Sequence, residues 1–267
     1  MNEMMHSVKT SPELSVIVPV FNEEQNLAPL LNEILVVLRG RLDFEIVYVD
    51  DASNDGTAQM LGQIATCIPE LRAFSHTRRS GQSAALWTGV HAARARWVVT
   101  LDGDGQNNPA DIPTLLQHRE AADPAVRLFA GWRTHRQDDA MKRLSSRIAN
   151  RVRRRLLSDE TPDTGCGIKL FERDAFLRLP RFQHMHRYLP ALMNRDGWRC
   201  QSVPVSHRPR SAGVSKYGVW NRLWVGLADL IGVAWLARRP MAVPAIPLLI
   251  SRTKGPVERL FDFQPPS

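Results

Sequence analysis

The chain alternates short apolar runs with segments of helical period. Leu14-Ser-Val-Ile-Val-Pro-Val20 is almost continuously apolar, the pattern of a strand covered on both faces. From Asn22 the period changes. Leu27, Leu30, Leu31, Ile34, Leu35 and Leu38 recur at helical spacing, and Gly40 supplies a stop signal. Phe44 to Asp50 reads as a second strand, about Thr57 to Thr66 as a second helix and Leu71 to Ser75 as a third strand. Gln82 to Arg94 reads as a third helix, Arg96 to Leu101 as a fourth strand and Arg127 to Trp132 as a later one. Such alternation predicts an α/β fold with a mostly parallel central sheet flanked by helices. Sheets of this kind bind ligands beyond the carboxyl ends of their strands.

Three polar clusters fall at that edge: Pro19 to Glu23, Asp50 to Asp55 and Asp102 to Gln106. The last, in Trp97-Val-Val-Thr-Leu-Asp-Gly-Asp-Gly-Gln-Asn-Asn-Pro109, is the most informative. In extended backbone, residues two apart project to one face, so Asp102, Asp104 and Gln106 can converge on a point. Gly103 and Gly105 keep the intervening positions slim. Oxygen ligands without nitrogen or sulfur suit a hard cation, Mg²⁺ or Mn²⁺, whose shell is completed by phosphates. A turn rich in Asp, Gly and Asn is ordinarily only a turn. Three such clusters on one rim are harder to explain that way.

The motifs Val18-Pro-Val-Phe-Asn-Glu-Glu24, Val49-Asp-Asp-Ala-Ser-Asn-Asp-Gly-Thr57, Gly81-Gln-Ser-Ala-Ala and Leu101-Asp-Gly-Asp-Gly-Gln106 resemble, in order and spacing, those of glycosyltransferase family 2. Asp163-Thr-Gly-Cys-Gly-Ile-Lys-Leu-Phe171 and His207-Arg-Pro-Arg-Ser-Ala-Gly-Val-Ser-Lys-Tyr217 look like its polyprenyl-phosphate branch, the dolichol-phosphate mannosyltransferase-like enzymes. The resemblance covers roughly residues 12 to 238. Thr77 departs from it where the family has Asn, as do Gly103 and Gly105 in place of Ala and Leu.

The resemblance implies a nucleotide-sugar-binding fold of the GT-A type and an inverting, metal-dependent hexosyl transfer. The donor would be a GDP- or UDP-sugar of mannose or glucose type, and the acceptor a polyprenyl phosphate. Pro19, Asn22 and Glu23 would line the nucleotide pocket, and Asp51 would hold the base or ribose. Asp102 would lie near the ribose and metal, while Asp104 and Gln106 would coordinate the metal between two phosphates. Arg210 and Lys216, with Ser215 beside them, could close over the diphosphate. Arg133 could meet the acceptor phosphate, and Asp163 would shape the acceptor site. A leaving nucleoside diphosphate needs its developing charge neutralised, which a divalent cation and basic side chains supply.

The chain has 267 residues, 43% of them hydrophobic, which suits one catalytic domain over about 13–218 and a tail. Cys67, Cys166 and Cys200 are odd in number and scattered, which favours a reducing compartment. Residues 1–12 carry no apolar stretch of secretory type and read as a disordered leader.

The net charge of +8 is concentrated. Between Arg133 and Arg155 lie nine Lys and Arg against Asp138 and Asp139, mostly on a predicted helix from Ala140 to Leu157. A solvated helical face is the plain explanation. Without aromatic interleaving or a recognised motif, nucleic acid is not expected as a partner. An anionic membrane surface is the remaining one. Val219 to Leu236 is apolar with Trp220, Trp224 and Trp235, yet carries Arg222 and Asp229, which a spanning helix would not readily keep in hydrocarbon. Met241 to Ile250 is too short to span and is broken by Pro244 and Pro247. Residues 219–250 therefore predict interfacial helices at the cytoplasmic membrane face, although a helix packed on the catalytic domain would use the same apolar spacing. Residues 251–267 form a polar, proline-rich tail. His184 and His186 lack zinc-ligand spacing.

Other enzyme classes fit less well. A dinucleotide-dependent oxidoreductase needs Gly-x-Gly-x-x-Gly after its first strand, where this chain has Pro19-Val-Phe-Asn-Glu. An aspartyl phosphatase could use Asp102 as nucleophile but leaves the other rim clusters without a task. A binding module without catalysis has little use for the acidic rim and the basic loop together. A family 2 transfer to a hydroxyl of a saccharide or other soluble acceptor is the closest competitor.

Overall fold

The protein is seen in a computed structural model that describes residues 11–134, 156–157, 159, 161–206, 208 and 219–239, with backbone only at 219–227. The predicted basic helix, apart from Leu156 and Leu157, and Arg210, Ser215 and Lys216 lie outside the described residues.

Seven strands form one sheet: β1 (Leu14–Val20), β2 (Phe44–Asp50), β3 (Leu71–Ser75), β4 (Trp97–Thr100), β5 (Val126–Arg133), β6 (Lys169–Glu172) and β7 (Arg199–Val205). Their spatial order is β3-β2-β1-β4-β6-β5-β7. Every pairing is parallel except those of β6, which runs antiparallel to β4 and β5. The helices are α1 (Glu24–Leu38), α2 (Thr57–Cys67), α3 (Gln82–Ala92), α4 (Ile112–Ala121), α5 (Arg173–Leu177), α6 (Leu189–Arg195) and α7 (Val219–Ala237).

All residues of β1 and β2 are buried, because each strand serves two cores. Val16, Val18 and Val20 pack with the apolar stripe of α1 and with Leu61, Ile112 and Leu115. Ile17, one step out of phase, packs on the other face with Leu86 and Val90 of α3 and with residues of α5, α6 and α7. Strand periodicity thus explains why the run is continuous rather than alternating. Helix α1 begins at Glu24, two residues later than the apolar period suggests, because Asn22 takes a left-handed conformation (φ 54°).

The chain winds outward from β1 through β2 to β3, then returns to place β4 on the other side of β1. This reversal opens a crevice at the carboxyl ends of β1 and β4, where open parallel sheets take ligands. The loops carrying Pro19 to Glu23 and Asp102 to Gln106 flank it. In α7, Val233 and Ala234 are buried against the α6 core, whereas Ile231 and Trp235 are 60% and 57% exposed. Among the described residues no helix is long and apolar enough to cross a membrane.

Candidate active site

Beyond β1 the loop is stitched to the end of β2. Asn22 Nδ2 donates to Asn54 Oδ1 at 2.6 Å, and Asn54 N–H returns a bond to Asn22 Oδ1 at 2.9 Å. The Asn22 N–H reaches Ser53 Oγ and the Glu23 N–H reaches Thr57 Oγ1. The Arg79 guanidinium lies over the Phe21 ring, 4.0 Å from its centroid, with cation–π attraction. Asp51 is buried and accepts from Ser80 N–H at 2.8 Å, Gly81 N–H at 2.7 Å and His76 Nδ1 at 2.8 Å. Its carboxylate pins the loop that launches α3, which places Gln82 at the crevice.

Strand β4 ends at Thr100, and the chain then turns instead of continuing extended; Gly105 adopts φ 72°. The i, i+2 extended-strand expectation for Asp102, Asp104 and Gln106 is therefore corrected: a turn, not a strand, places them. The two carboxylates are nonetheless close enough to feel each other. Burial, and then repulsion from Asp104, push the Asp102 carboxyl above its ordinary range. Asp102 Oδ1 accepts from Gln82 Nε2 at 2.8 Å, its N–H donates to Asn107 Oδ1 at 2.8 Å, and Asp104 accepts from the Gln106 N–H at 3.1 Å. Among the described residues no three His, Cys, Asp or Glu side chains group as a metal site. Asp102 and Asp104 repelling each other at one turn is nevertheless the arrangement a divalent cation relieves, with the Gln106 amide as a further oxygen.

The Asp163 to Lys169 segment closes the other side. Arg133, at the end of β5, grips Asp163 at two points, Nε to Oδ2 at 2.6 Å and Nη2 to Oδ1 at 2.9 Å. Thr100 Oγ1 donates to the Gly167 carbonyl at 2.7 Å. A Cβ at Gly167 would overlap Asp102 Oδ2, so only glycine lets this segment lie against the carboxylate. Lys169 is buried, donates to the Cys166 carbonyl and lies in the field of Asp102 and Asp163; burial lowers its pKa.

A cavity of about 230 Å³ lies between these parts, with Gln82, Asp102, Gly167, Lys169, His186 and Arg187 among its walls. His186 has its Nδ1 against Ser83 Oγ at 2.7 Å, and burial, aided by the Lys169 charge, brings its pKa down to about 3. Gln82 and Lys169 sit inside motifs legible in the chain, but nothing there marks them as cavity residues. His186 and Arg187 carry no sequence signal, since they meet Asp102 only through the tertiary fold. Arg208 reaches back to the acidic turn: its N–H donates to the Gln106 carbonyl at 3.3 Å, and its guanidinium binds Glu33 at 2.7 Å and Asn108 at 2.5 Å.

A doubly wound sheet with an acidic turn and a sugar-sized cavity at the carboxyl end of β4 defines the nucleotide-sugar-binding fold of the GT-A type. The model of glycosyl transferase family 2 matches residues 15–179, and the chain belongs to that family. Over 85% of its length it is 33% identical to the dodecaprenyl-phosphate galacturonate synthase of Rhizobium johnstonii, covering 68% of that protein. It is 32% identical over 76% of its length to the undecaprenyl-phosphate 4-deoxy-4-formamido-L-arabinose transferase of Pseudomonas fluorescens, covering 60% of that protein. The chain thus spans only about two thirds or less of these relatives. The fold is shared with the mannosyltransferase PcManGT of Pyrobaculum calidifontis, solved with GDP-Man and Mn²⁺ (TM-score 0.61, 23% identity, 88% of this chain and 67% of that one). It is shared too with glucosyl-3-phosphoglycerate synthase of Mycobacterium tuberculosis, solved with Mn²⁺ and UDP (TM-score 0.63, 18% identity, 85% and 80%).

Proposed function

We propose that the protein transfers a sugar, of mannose or glucose type, from a GDP- or UDP-linked donor to a polyprenyl phosphate at the cytoplasmic membrane face. The observation that carries this reading is the pairing of Asp102 and Asp104 beside a cavity of about 230 Å³ at the carboxyl end of β4. The relatives support the acceptor class, because their names place their sugars on dodecaprenyl and undecaprenyl phosphate.

Asp102, Asp104 and Gln106 would hold Mg²⁺ or Mn²⁺, which neutralises charge on the departing diphosphate when bound. The chain's own residues supply the rest. Gln82 and Asn107 orient Asp102 from its side-chain and backbone ends. Asp51 fixes the start of α3 and so the position of Gln82. The loop of Pro19, Asn22 and Glu23 frames the nucleotide side of the crevice. In this reading Arg210 and Lys216, which lie outside the described residues with Ser215, would supply positive charge to the diphosphate, and Ser215 would bind the nucleotide sugar. A hydroxyl acceptor would need a carboxylate free to take its proton. Asp163, the acidic candidate on the acceptor side, has both oxygens bonded to Arg133, which favours a phosphate acceptor. The exposed Ile231 and Trp235 of α7 and the basic charge of the chain are what an anionic membrane surface would attract.

The test is a screen of UDP- and GDP-sugars with polyprenyl phosphate and Mn²⁺, reading lipid-linked sugar. Product that appears only with saccharide hydroxyls, and never with the lipid phosphate, would replace this reading by the hydroxyl-acceptor one.

A further inference from the structure

Among the described residues, Arg133, Lys169 and Arg187 lie around the cavity beside Asp102 or on its walls, and of these three only Arg187 has no carboxylate partner. Arg133 is committed to Asp163 by its two-point ion pair. Lys169 is buried, bonded to the Cys166 carbonyl and compensated by Asp102 and Asp163. Arg187 lines the same cavity, is solvent-exposed, and pairs with no carboxylate among the described residues.

The loop that presents Arg187 is built to hold still. Gln183 Nε2 donates to the Ser80 carbonyl at 2.8 Å, which ties the loop to the segment pinned by Asp51. His184, at φ 65°, bonds Asp229 of α7 at 2.8 Å. His186 bonds Ser83 of α3 at 2.7 Å, and Met185 and Tyr188 are buried. Three anchors within four residues fix the backbone under one exposed guanidinium. One of them is made to α7, the helix with the exposed Ile231 and Trp235.

We propose that Arg187 binds the phosphate of the acceptor and holds it against the sugar in the cavity. This rests on the polyprenyl-phosphate reading above. A guanidinium offers a planar fork that matches phosphate oxygens at two points. A phosphate monoester has a second pKa of roughly 6, so it arrives largely as a dianion and needs a cation more than a base. One of its oxygens forms the bond to the anomeric carbon as the bond from that carbon to the β-phosphate oxygen breaks. The electron pair leaves with the nucleoside diphosphate, and no proton changes hands. Arg133, the residue expected from the chain to meet this phosphate, is bonded to Asp163 at two points.

The experiment uses the full chain with Arg187→Ala and Arg187→Lys, farnesyl phosphate as acceptor probe, and UDP and GDP as nucleotide probes with Mn²⁺. The expected result is a rise in KM for farnesyl phosphate of about tenfold or more in Arg187→Ala, the loss of one charge-assisted contact. Arg187→Lys falls between, added guanidinium partly restores Arg187→Ala, and nucleotide Kd changes by less than about twofold. A parallel rise in nucleotide Kd with unchanged acceptor KM would assign Arg187 to the donor diphosphate and overturn the proposal. If the unmodified protein glycosylates a hydroxyl compound and never farnesyl phosphate, the acceptor reading itself fails and takes this inference with it.

Discussion

Arg133 and Asp163 form a two-point ion pair, with Nε–Oδ2 at 2.6 Å and side chains only 14% and 5% exposed. The pair joins the end of β5 to the segment that closes against Asp102, and the Asp163 charge in turn raises the pKa of Arg133. Removing one partner strands a charge out of water, which costs about 3–5 kcal/mol in buried pairs. Asp163→Ala is therefore expected to destabilise by that order in urea unfolding. The double variant Arg133→Met/Asp163→Leu should recover much of the loss, because it leaves no unpaired charge. A single variant as stable as the original would show the pair to be incidental.

Gly167→Ala tests the contact between the Asp163–Lys169 segment and the acidic turn. The added methyl would overlap Asp102 Oδ2 and also crowd Asn107, so the carboxylate must move. Overpacking of this kind costs about 1–3 kcal/mol. The expected outcome is a fall of about tenfold or more in Mn²⁺-dependent UDP or GDP affinity, with the thermal melt lowered only modestly. Unaltered nucleotide titrations would mean that Asp102 is not needed where it stands.

Asp104→Asn removes one of two charges at the turn while keeping its shape. Transfer should drop by at least about a hundredfold, the scale of losing one preorganised electrostatic contact. Chelation should abolish turnover of the unmodified protein, and Mn²⁺ or Mg²⁺ should restore it. Near-normal turnover of the variant at limiting Mn²⁺ would remove the metal from the proposal.

The His186 imidazole links stability to pH. Its folded pKa of about 3 lies below the ordinary 6.5, so the unfolded chain takes up the proton first. The stabilisation is complete above about pH 6.5 and is lost as pH falls toward 3, at up to about 1.4 kcal/mol per pH unit. Urea unfolding at pH 7 and pH 5 should show this slope, and His186→Asn should flatten it. Equal slopes in both proteins would place the ring in contact with bulk water.

Helix α7 offers a membrane test that leaves the core intact. Val233 and Ala234 are buried, so deleting the helix would expose core surface, whereas Ile231 and Trp235 are 60% and 57% exposed. Ile231→Ser with Trp235→Ser should weaken flotation with anionic liposomes and leave nucleotide binding alone. Raising the salt should weaken flotation of the unmodified protein further. Flotation indifferent to both changes would refute the interfacial assignment.

Local order was legible in the chain because it depends on neighbours in sequence. The β1 to β4 run, the helices between its strands and the three polar clusters at the strand ends follow from apolar period and turn residues. The start of α1 shifted because Asn22 bonds Asn54, a partner more than 30 residues away that no local pattern reveals. Strand β6 was not legible because it follows the glycine-rich Thr164–Gly167 stretch without a separate apolar run, and its place between β4 and β5 comes only from antiparallel tertiary pairing. Asp102 and Asp104 stood out as paired carboxylates from the chain, but the turn that brings them together, and the Gly167 contact on Asp102, belong to packing. The occupation of Asp51 by the Ser80 and Gly81 amides, of Asp163 by Arg133, and the meeting of Lys169, His186 and Arg187 at one cavity were decided only by the tertiary structure. A side chain's charge is written in the sequence. Whether that charge is spent on a neighbour or left for a ligand depends on which distant groups the folded chain places within hydrogen-bond reach.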